Sequence, residues 1–255
     1  RDELPLTVQA TVQLRLDGMP KSTREVVRAA SVLGPTFWTG AVDALVGRDT
    51  RAELAELEEA EIISRQPLSR IAGEAEWTFR QSLVRDTAYA SLLDEDRSTL
   101  HRATARWLEN KGDDDVGLIA KHADAGEDFE RAAQLYARAT RQAYSGGAHL
   151  ETALDLAERG LNCGAQGAVK AELLVAATQA RIPLGRLEDA VRAAEQAAEL
   201  STPGSEIWAE ALCMAAVALT EIGRAAEGED RAARALAPGL VERLEAPTRL
   251  KLMAA

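Results

Sequence analysis

In the second half of this 255-residue chain, small side chains return at a nearly fixed interval. Gly185-Arg186-Leu187-Glu188-Asp189-Ala190 and Gly223-Arg224-Ala225-Ala226-Glu227-Gly228 stand 38 residues apart, and each reaches a small residue five positions after its glycine. Small residues then continue at +4 and +7, as Ala190, Ala194, Ala197, then Gly228, Ala232, Ala235, and earlier Ala153, Ala157, Gly160; Ala132, Tyr136 and Ala139 follow less strictly. Such positions share one face of an α-helix. Contacting side chains set the distance between helix axes, so a bare stripe lets a second helix approach closely. A period of this length indicates stacked helix pairs. Breaks at Gly112, Gly126, Gly146-Gly147, Gly164 to Gly167, Gly185, Pro203-Gly204, Gly223 and Pro238-Gly239 place three pairs at about 128–163, 167–200 and 205–237. A helical pair around 95–125 precedes them, and a further helix is expected from about 240.

The first part of the chain is built from different material. Only 12 of the 50 alanines fall before residue 94. Apolar residues recur at helical spacing in Leu6-Val8-Val12-Leu14-Leu16 and in Val26-Val27-Ala30-Val32-Leu33, each followed by a breaker. Thr39 is placed to cap a helix to Val46, and Asp49 or Thr50 to cap another to about Glu61. Ile62-Ile63-Ser64-Arg65 and Glu76-Trp77-Thr78-Phe79 read as strands around a turn containing Gly73. A last amphipathic segment spans Leu83 to Leu93. Short helices followed by a β-hairpin predict a winged-helix-like α+β module over 1–93. The repeats predict a helical array over 94–255, so the fold class is mainly α.

Charge and composition exclude several classes. Lys and Arg number 30 against 41 Asp and Glu, a formal net charge of -11, with net -3 before residue 94 and -8 after it. The longest apolar run, Ala211 to Leu219, is nine residues, where a membrane-spanning helix needs about 20. Two cysteines, Cys163 and Cys213, make no disulfide framework or zinc ligand pair, which fits a cytoplasmic protein. A start at Arg1 and an end inside a helix-like stretch suggest a piece of a longer chain.

The second-half pattern resembles the tetratricopeptide repeat, whose helix pairs carry small residues at fixed places. Gly185 to Leu200 looks like the second helix of such a repeat. Leu174, Ala177, Thr178 and Arg181 depart from it, standing where Trp, Leu, Gly and Tyr are usual. Leu4-Pro5-Leu6, Arg15-Leu16-Asp17, Ala29-Ala30-Ser31-Val32-Leu33-Gly34 and Phe79 to Tyr89 resemble the segment after the nucleotide-binding domain in large bacterial STAND-type signalling ATPases. In such proteins an ATPase precedes helical and winged-helix elements and a repeat array, with a serine/threonine kinase, nucleotide cyclase or LuxR-type DNA binder as output domain. The resemblance implies a tetratricopeptide-like α-solenoid of antiparallel helix pairs and an intramolecular ATPase partner. Related chains often have His where Gln81 stands, so a nucleotide-sensing role is not carried over to it. The tetratricopeptide resemblance also implies a concave surface for a protein, peptide or small ligand, lined by Arg138, Gln142, Glu172, Val175, Gln179, Glu210 and Val217.

Catalytic signatures are missing from the sequence. A P-loop needs G-x-x-x-x-G-K-[ST] to wrap phosphate with backbone N–H groups; Lys21-Ser22 lacks the glycines, and no other lysine precedes Ser or Thr. Kinase H-R-D and D-F-G phrases are absent, His101-Arg102-Ala103 being the nearest approach. His101, His122 and His149 lie 21 and 27 residues apart with no companion cysteine, so packing or surface roles outweigh metal ligation. The cysteines read as small apolar residues, Trp38, Trp77, Trp107 and Trp208 as packing, and the acidic runs around Glu53 to Glu61 and Asp113 to Asp115 as solvated faces or turns. No cofactor or metal site is expected, and the chain is read as non-catalytic. The leading expectation is a regulatory arm of a signalling ATPase or kinase that binds a partner on its repeats. A structural or homo-oligomerising array is the competing reading.

Duplex DNA is held largely through Lys and Arg on phosphates. The helix before the hairpin offers Asp49, Glu53, Glu56, Glu58, Glu59 and Glu61 against Arg51 alone. The chain is expected not to retard a duplex DNA probe in a gel at micromolar protein; a salt-sensitive shift would contradict this.

Overall fold

A computed structural model describes residues 6–145 and 149–236, with side chains from Ala10 onward. The chain divides into two compact units. One runs to Asp115 and takes in Lys121–Asp128; the other holds Val116–Ala120 and the described residues from Phe129 onward.

The first unit begins with α1 (Leu6–Asp17) and α2 (Lys21–Leu33), followed by strand β1 (Thr36–Trp38), α3 (Thr39–Val46) and α4 (Arg51–Glu59). Strands β2 (Ile63–Arg65) and β3 (Glu76–Phe79) come next, then α5 (Ser82–Ala90) and α6 (Asp94–Asn110). The three strands form an antiparallel sheet ordered β1-β3-β2, with Phe37 opposite Trp77 and Ile63 opposite Phe79. The hairpin was legible from the sequence, but β1 was not. Three residues, Thr-Phe-Trp, are too few to show an alternation, and pairing with β3 is what holds them extended. The core gathers Val26 and Val27 of α2, Phe37, Leu54 and Leu57 of α4, and Ile63, all essentially inaccessible to water. Phe37 and Phe79 meet at 5.2 Å between ring centroids.

Capping differs from the expectation at Thr39. Its side chain accepts a hydrogen bond from Trp77 Nε1 at 2.8 Å, and the N-cap of α3 is Trp38. The free N–H of Gly40 donates instead to Glu74 Oε2 at 3.0 Å, from the loop between β2 and β3. A Cβ on Gly40 would lie 2.6 Å from that oxygen, so a side chain here would have to displace the capping carboxylate. At α4, Asp49 Oδ1 accepts from the Arg51 N–H, while Thr50 donates from its backbone and hydroxyl to Asp43 Oδ1.

Helix α7 (Val116–Ala125) contributes residues to both units. The second unit continues as α8 (Phe129–Ser145), α9 (Leu150–Asn162), α10 (Gly167–Arg181), α11 (Leu187–Leu200), α12 (Glu206–Glu221) and α13 (Ala225–Ala235). These are the three expected pairs within a few residues. The helix expected from about 240 lies outside the described residues. From α8 to α13 each helix packs on the next, and the first helices of the pairs also touch, α8 on α10 and α10 on α12. The 38-residue recurrence has a local cause. Gly185 and Gly223 sit at φ +72° and +83°, a region that favours glycine. Each lets the next N–H close the preceding helix, Arg186 onto Arg181 at 2.9 Å and Arg224 onto Leu219 at 2.8 Å.

The bare stripes are buried as expected at Ala153, Ala157, Gly160, Ala190, Ala194, Ala197, Gly228 and Ala235; Ala232 stays partly exposed. Gly160 marks the tightest approach among them to apolar side chains. An added Cβ would stand 2.8 Å from a Leu173 methyl and 3.0 Å from Tyr136 Cβ, both in a closed core. Helix propensity favours alanine over glycine by about 1 kcal/mol, whereas overpacking costs about 1–3 kcal/mol. Crowding therefore wins. Gly160→Ala is expected to destabilise the protein by about 1 kcal/mol in thermal or denaturant unfolding; a raised melting temperature would mean that α9 and α10 separate at little cost.

Candidate functional site

The proposed contact residues stand on the first helices of the three pairs. Arg138 and Gln142, four residues apart on α8, are exposed. Glu172 and Gln179 on α10 are half-buried, as are Glu210 and Val217 on α12. Val175 departs from the expectation. It is 7% exposed and packs with Leu174, Ala193, Ala197 and Ala211, in the core rather than on a surface. The seven therefore reduce to six accessible positions, spread along helices whose order of contact is α8, α10, α12.

Arg141 was not among the expected residues, although it lies between Arg138 and Gln142. It pairs with Glu172, joining α8 to α10. Burial, and then the charge of Arg138, lower the proton affinity of its guanidinium. Arg138 stands one turn before Arg141 on the same helix and is exposed. On the next pair, Arg181 reaches Glu158 at 3.1 Å. Tyr144 donates to the Ala176 carbonyl at 2.7 Å, so α8 is held to α10 by polar contacts as well as apolar ones.

Two clefts open in this unit. One, of about 480 Å³, lies between Phe129, Glu130, Ala133 and Gln134 at the start of α8 and the Cys163–Gln166 turn with Val169. The other, of about 370 Å³, lies between α12 and α13, lined by Cys213, Val217, Thr220, Gly228, Ala232 and Leu236 among others. Val217 is the one expected contact residue in either. Burial and then the nearby Glu210 charge push the Cys213 thiol up to about 11, which disfavours the thiolate. A third cleft, of about 470 Å³, lies within the first unit and sets Lys21, Arg24 and Arg28 above Leu45, Val46 and Leu100. Among the described residues, no three His, Cys, Asp or Glu side chains are grouped to hold a metal ion. None of their helices is long and apolar enough to cross a membrane.

No protein-family model matches the chain. An uncharacterised protein of Rhizobium meliloti (strain 1021) is 30% identical over 155 residues, which are 53% of this chain and 14% of that protein. A crystal structure from Pyrococcus horikoshii, of a Signal Transduction ATPase with Numerous Domains (STAND) protein with a tetratricopeptide repeat sensor, superposes with a TM-score of 0.59. That likeness covers 95% of this chain and 35% of the other at 12% identity, and it is a likeness of fold. The chain spans well under two thirds of the length of either protein. The architecture is mainly α, a small α+β part followed by a tetratricopeptide-like solenoid.

A polar cluster inside the first unit was not anticipated. His101 and His122, read as isolated because 21 residues separate them, meet with Nδ1 atoms 2.8 Å apart. His101 Nε2 also lies 2.9 Å from the Tyr89 hydroxyl. Their places in the two facing helices of the 95–125 pair were the available signal. One Nδ1 must carry the proton that the other accepts. Burial and then the Arg97 charge lower the His101 pKa to about 4, and burial and then His101 lower His122 to about 3. Unfolded histidines titrate near pH 6.5. Between that pH and about 4 the unfolded chain binds protons that the native protein excludes, so stability falls as pH drops through this window. The expected loss, summed over the two histidines, is on the order of 5 kcal/mol by denaturant titration at pH 7.5 and 4.5. His122→Gln should reduce it by roughly half; an unchanged loss would assign the effect to the carboxylates.

Proposed function

We propose that the chain is a non-catalytic regulatory arm of a multidomain signalling ATPase. Its repeats take a protein or peptide along α8, α10 and α12, and its α+β unit carries the bound state to an ATPase domain of the same polypeptide. The observation that carries this reading is the fold shared over 95% of the chain with a STAND protein that has a tetratricopeptide repeat sensor. The order α2-β1-α3-α4-β2-β3, with β3 central in the sheet, supports reading the first unit as a winged-helix module. The working division remains 1–93 for that module and 94–255 for the array. A cytoplasmic location fits the two free thiols. A serine/threonine kinase or a transcriptional regulator is the output we propose for the parent polypeptide.

Arg138, Gln142, Glu172, Gln179, Glu210 and Val217 form the proposed contact surface. Exposed arginines with an amide one turn away suit a peptide carrying carboxylates. The array has little other chemistry to offer: its stripes are filled by its own helices, and its surface is what remains for recognition. The competing reading, a homo-oligomerising scaffold, draws on exposed Phe129, Leu200 and Leu236 in the same unit.

Panning a displayed random-peptide library over the immobilised chain is expected to select acidic peptides of micromolar affinity. Arg138→Ala with Gln142→Ala should weaken them at least fivefold while leaving the melting temperature in place. Selected peptides indifferent to that pair would remove this surface from the reading. A concentration-dependent dimer in light scattering, with no peptide selected, would favour the scaffold.

A further inference from the structure

The loop between β2 and β3, residues 66–75, is tied to the C-terminal end of α6 by two ion pairs that run in opposite directions. Arg70 of the loop donates to both oxygens of Asp113, at 3.0 and 2.8 Å. Lys111, two residues before Asp113, returns to the loop at Glu74 Oε1, 2.7 Å away. Between the pairs stand two indoles. The Arg70 guanidinium lies 5.2 Å from the Trp38 ring, Trp38 stacks on Trp107 at 5.8 Å and 25°, and Lys111 Nζ lies 5.6 Å from the Trp107 ring. The result is a cation–ring–ring–cation stack whose two ends are contributed by the two segments it joins.

The carboxylates serve other bonds as well. Asp113 Oδ1 accepts from the Asp115 N–H at 3.0 Å, closing the turn that leads into α7. Glu74 Oε2 caps α3 through Gly40, and Glu76 Oε2 accepts from Trp38 Nε1 and from the Arg70 N–H. The Asp113 side chain is only 3% exposed. An exposed ion pair contributes little, but a forked arginine on a buried carboxylate is stronger, and removing one partner leaves a costly buried charge. The loop ends are held independently, Gln66 donating to Glu76 and Thr39 to Ala75 through the backbone. What the ion pairs hold is the middle of the loop.

Asp115 is the last residue of the first unit before the chain passes into Val116–Ala120 of the second. We propose that the Arg70–Asp113 and Lys111–Glu74 pairs form a latch through which the α6–α7 turn sets the conformation of the β2–β3 loop. Displacement of the turn releases residues 66–75 while the sheet stays intact. This deepens the relay reading above and rests on it. It assigns the relay to charged contacts, which separate without unfolding a core, rather than to the ladder of the sheet. The same contacts occupy Arg70, the loop's one basic side chain, with an internal partner.

Hydrogen-exchange mass spectrometry on the whole 255-residue chain tests the latch. Arg70→Ala, Asp113→Asn and Lys111→Ala are each expected to speed exchange in residues 66–75 at least tenfold, with peptides from α2 and α10 unchanged. Arg70→Ala should also speed exchange in 111–115, because coupling is reciprocal, and Arg70→Ala with Asp113→Asn should add nothing to Arg70→Ala alone. Loop exchange within twofold of the parent protein in Arg70→Ala, or faster exchange throughout the chain in step with the loop, would overturn the latch. A library-selected peptide that binds the repeats yet leaves exchange in 66–75 unchanged would overturn its part in the relay. Failure to select any peptide counts against the sensor reading alone, and the exchange comparison between variants stands without it.

Discussion

Close approach between helices is the condition on which the second unit depends. At Gly160 the neighbouring Leu173 and Tyr136 occupy the space a methyl group would need, and at Gly228 Thr220 Oγ1 and the Ala216 carbonyl do the same. Alanine and glycine bury little apolar area each, since a methylene contributes only about 0.8 kcal/mol. Their value lies in what they allow: axes near enough for Leu154, Leu173, Leu212 and Leu219 to meet neighbours on several sides, where many small dispersion contacts add up. Each stripe needs a facing helix. A lone pair cannot supply one on both sides, so the units of the array stabilise one another in sequence.

The first unit solves the same problem by other means. Its core is aromatic and branched aliphatic, and its polar groups are matched across long sequence distances. Trp77 reaches Thr39, Glu74 caps α3, Thr23 reaches Glu56 at 2.8 Å and the Arg15 guanidinium donates to the Ala60 carbonyl. Asp113, expected in a solvated acidic turn, is instead a buried acceptor. Charge runs describe a surface only while no cation is folded against them.

The division between a satisfied interior and an available surface decides how the functional reading stands. His101 and His122 meet each other and Tyr89, Trp38 stacks on Trp107, Trp77 donates to Thr39, and Cys213 is buried beside the cleft between α12 and α13. Accessible polar residues stand on both helices of each pair, Arg138 and Gln142 on α8 as well as Asp155 and Arg159 on α9.

Reading periodicity found the three pairs and their buried stripes because a helix face is a local property, fixed by spacing along one segment. The hairpin was visible for the same reason. Residues whose role depends on a partner far along the chain were not legible: β1 needs β3, Thr39 is claimed by Trp77, and His101 and His122 meet only when their helices face each other. Of the seven proposed contact residues six are accessible, while Val175 is buried in the core, since which side of α10 the next helix pair covers is settled by packing angle. The sequence determined that this chain stacks helices and, within a few residues, where the three repeat pairs lie. Which polar groups find one another was decided by tertiary structure, because hydrogen bonds and ion pairs depend on distance in space, and spacing along the chain does not contain it.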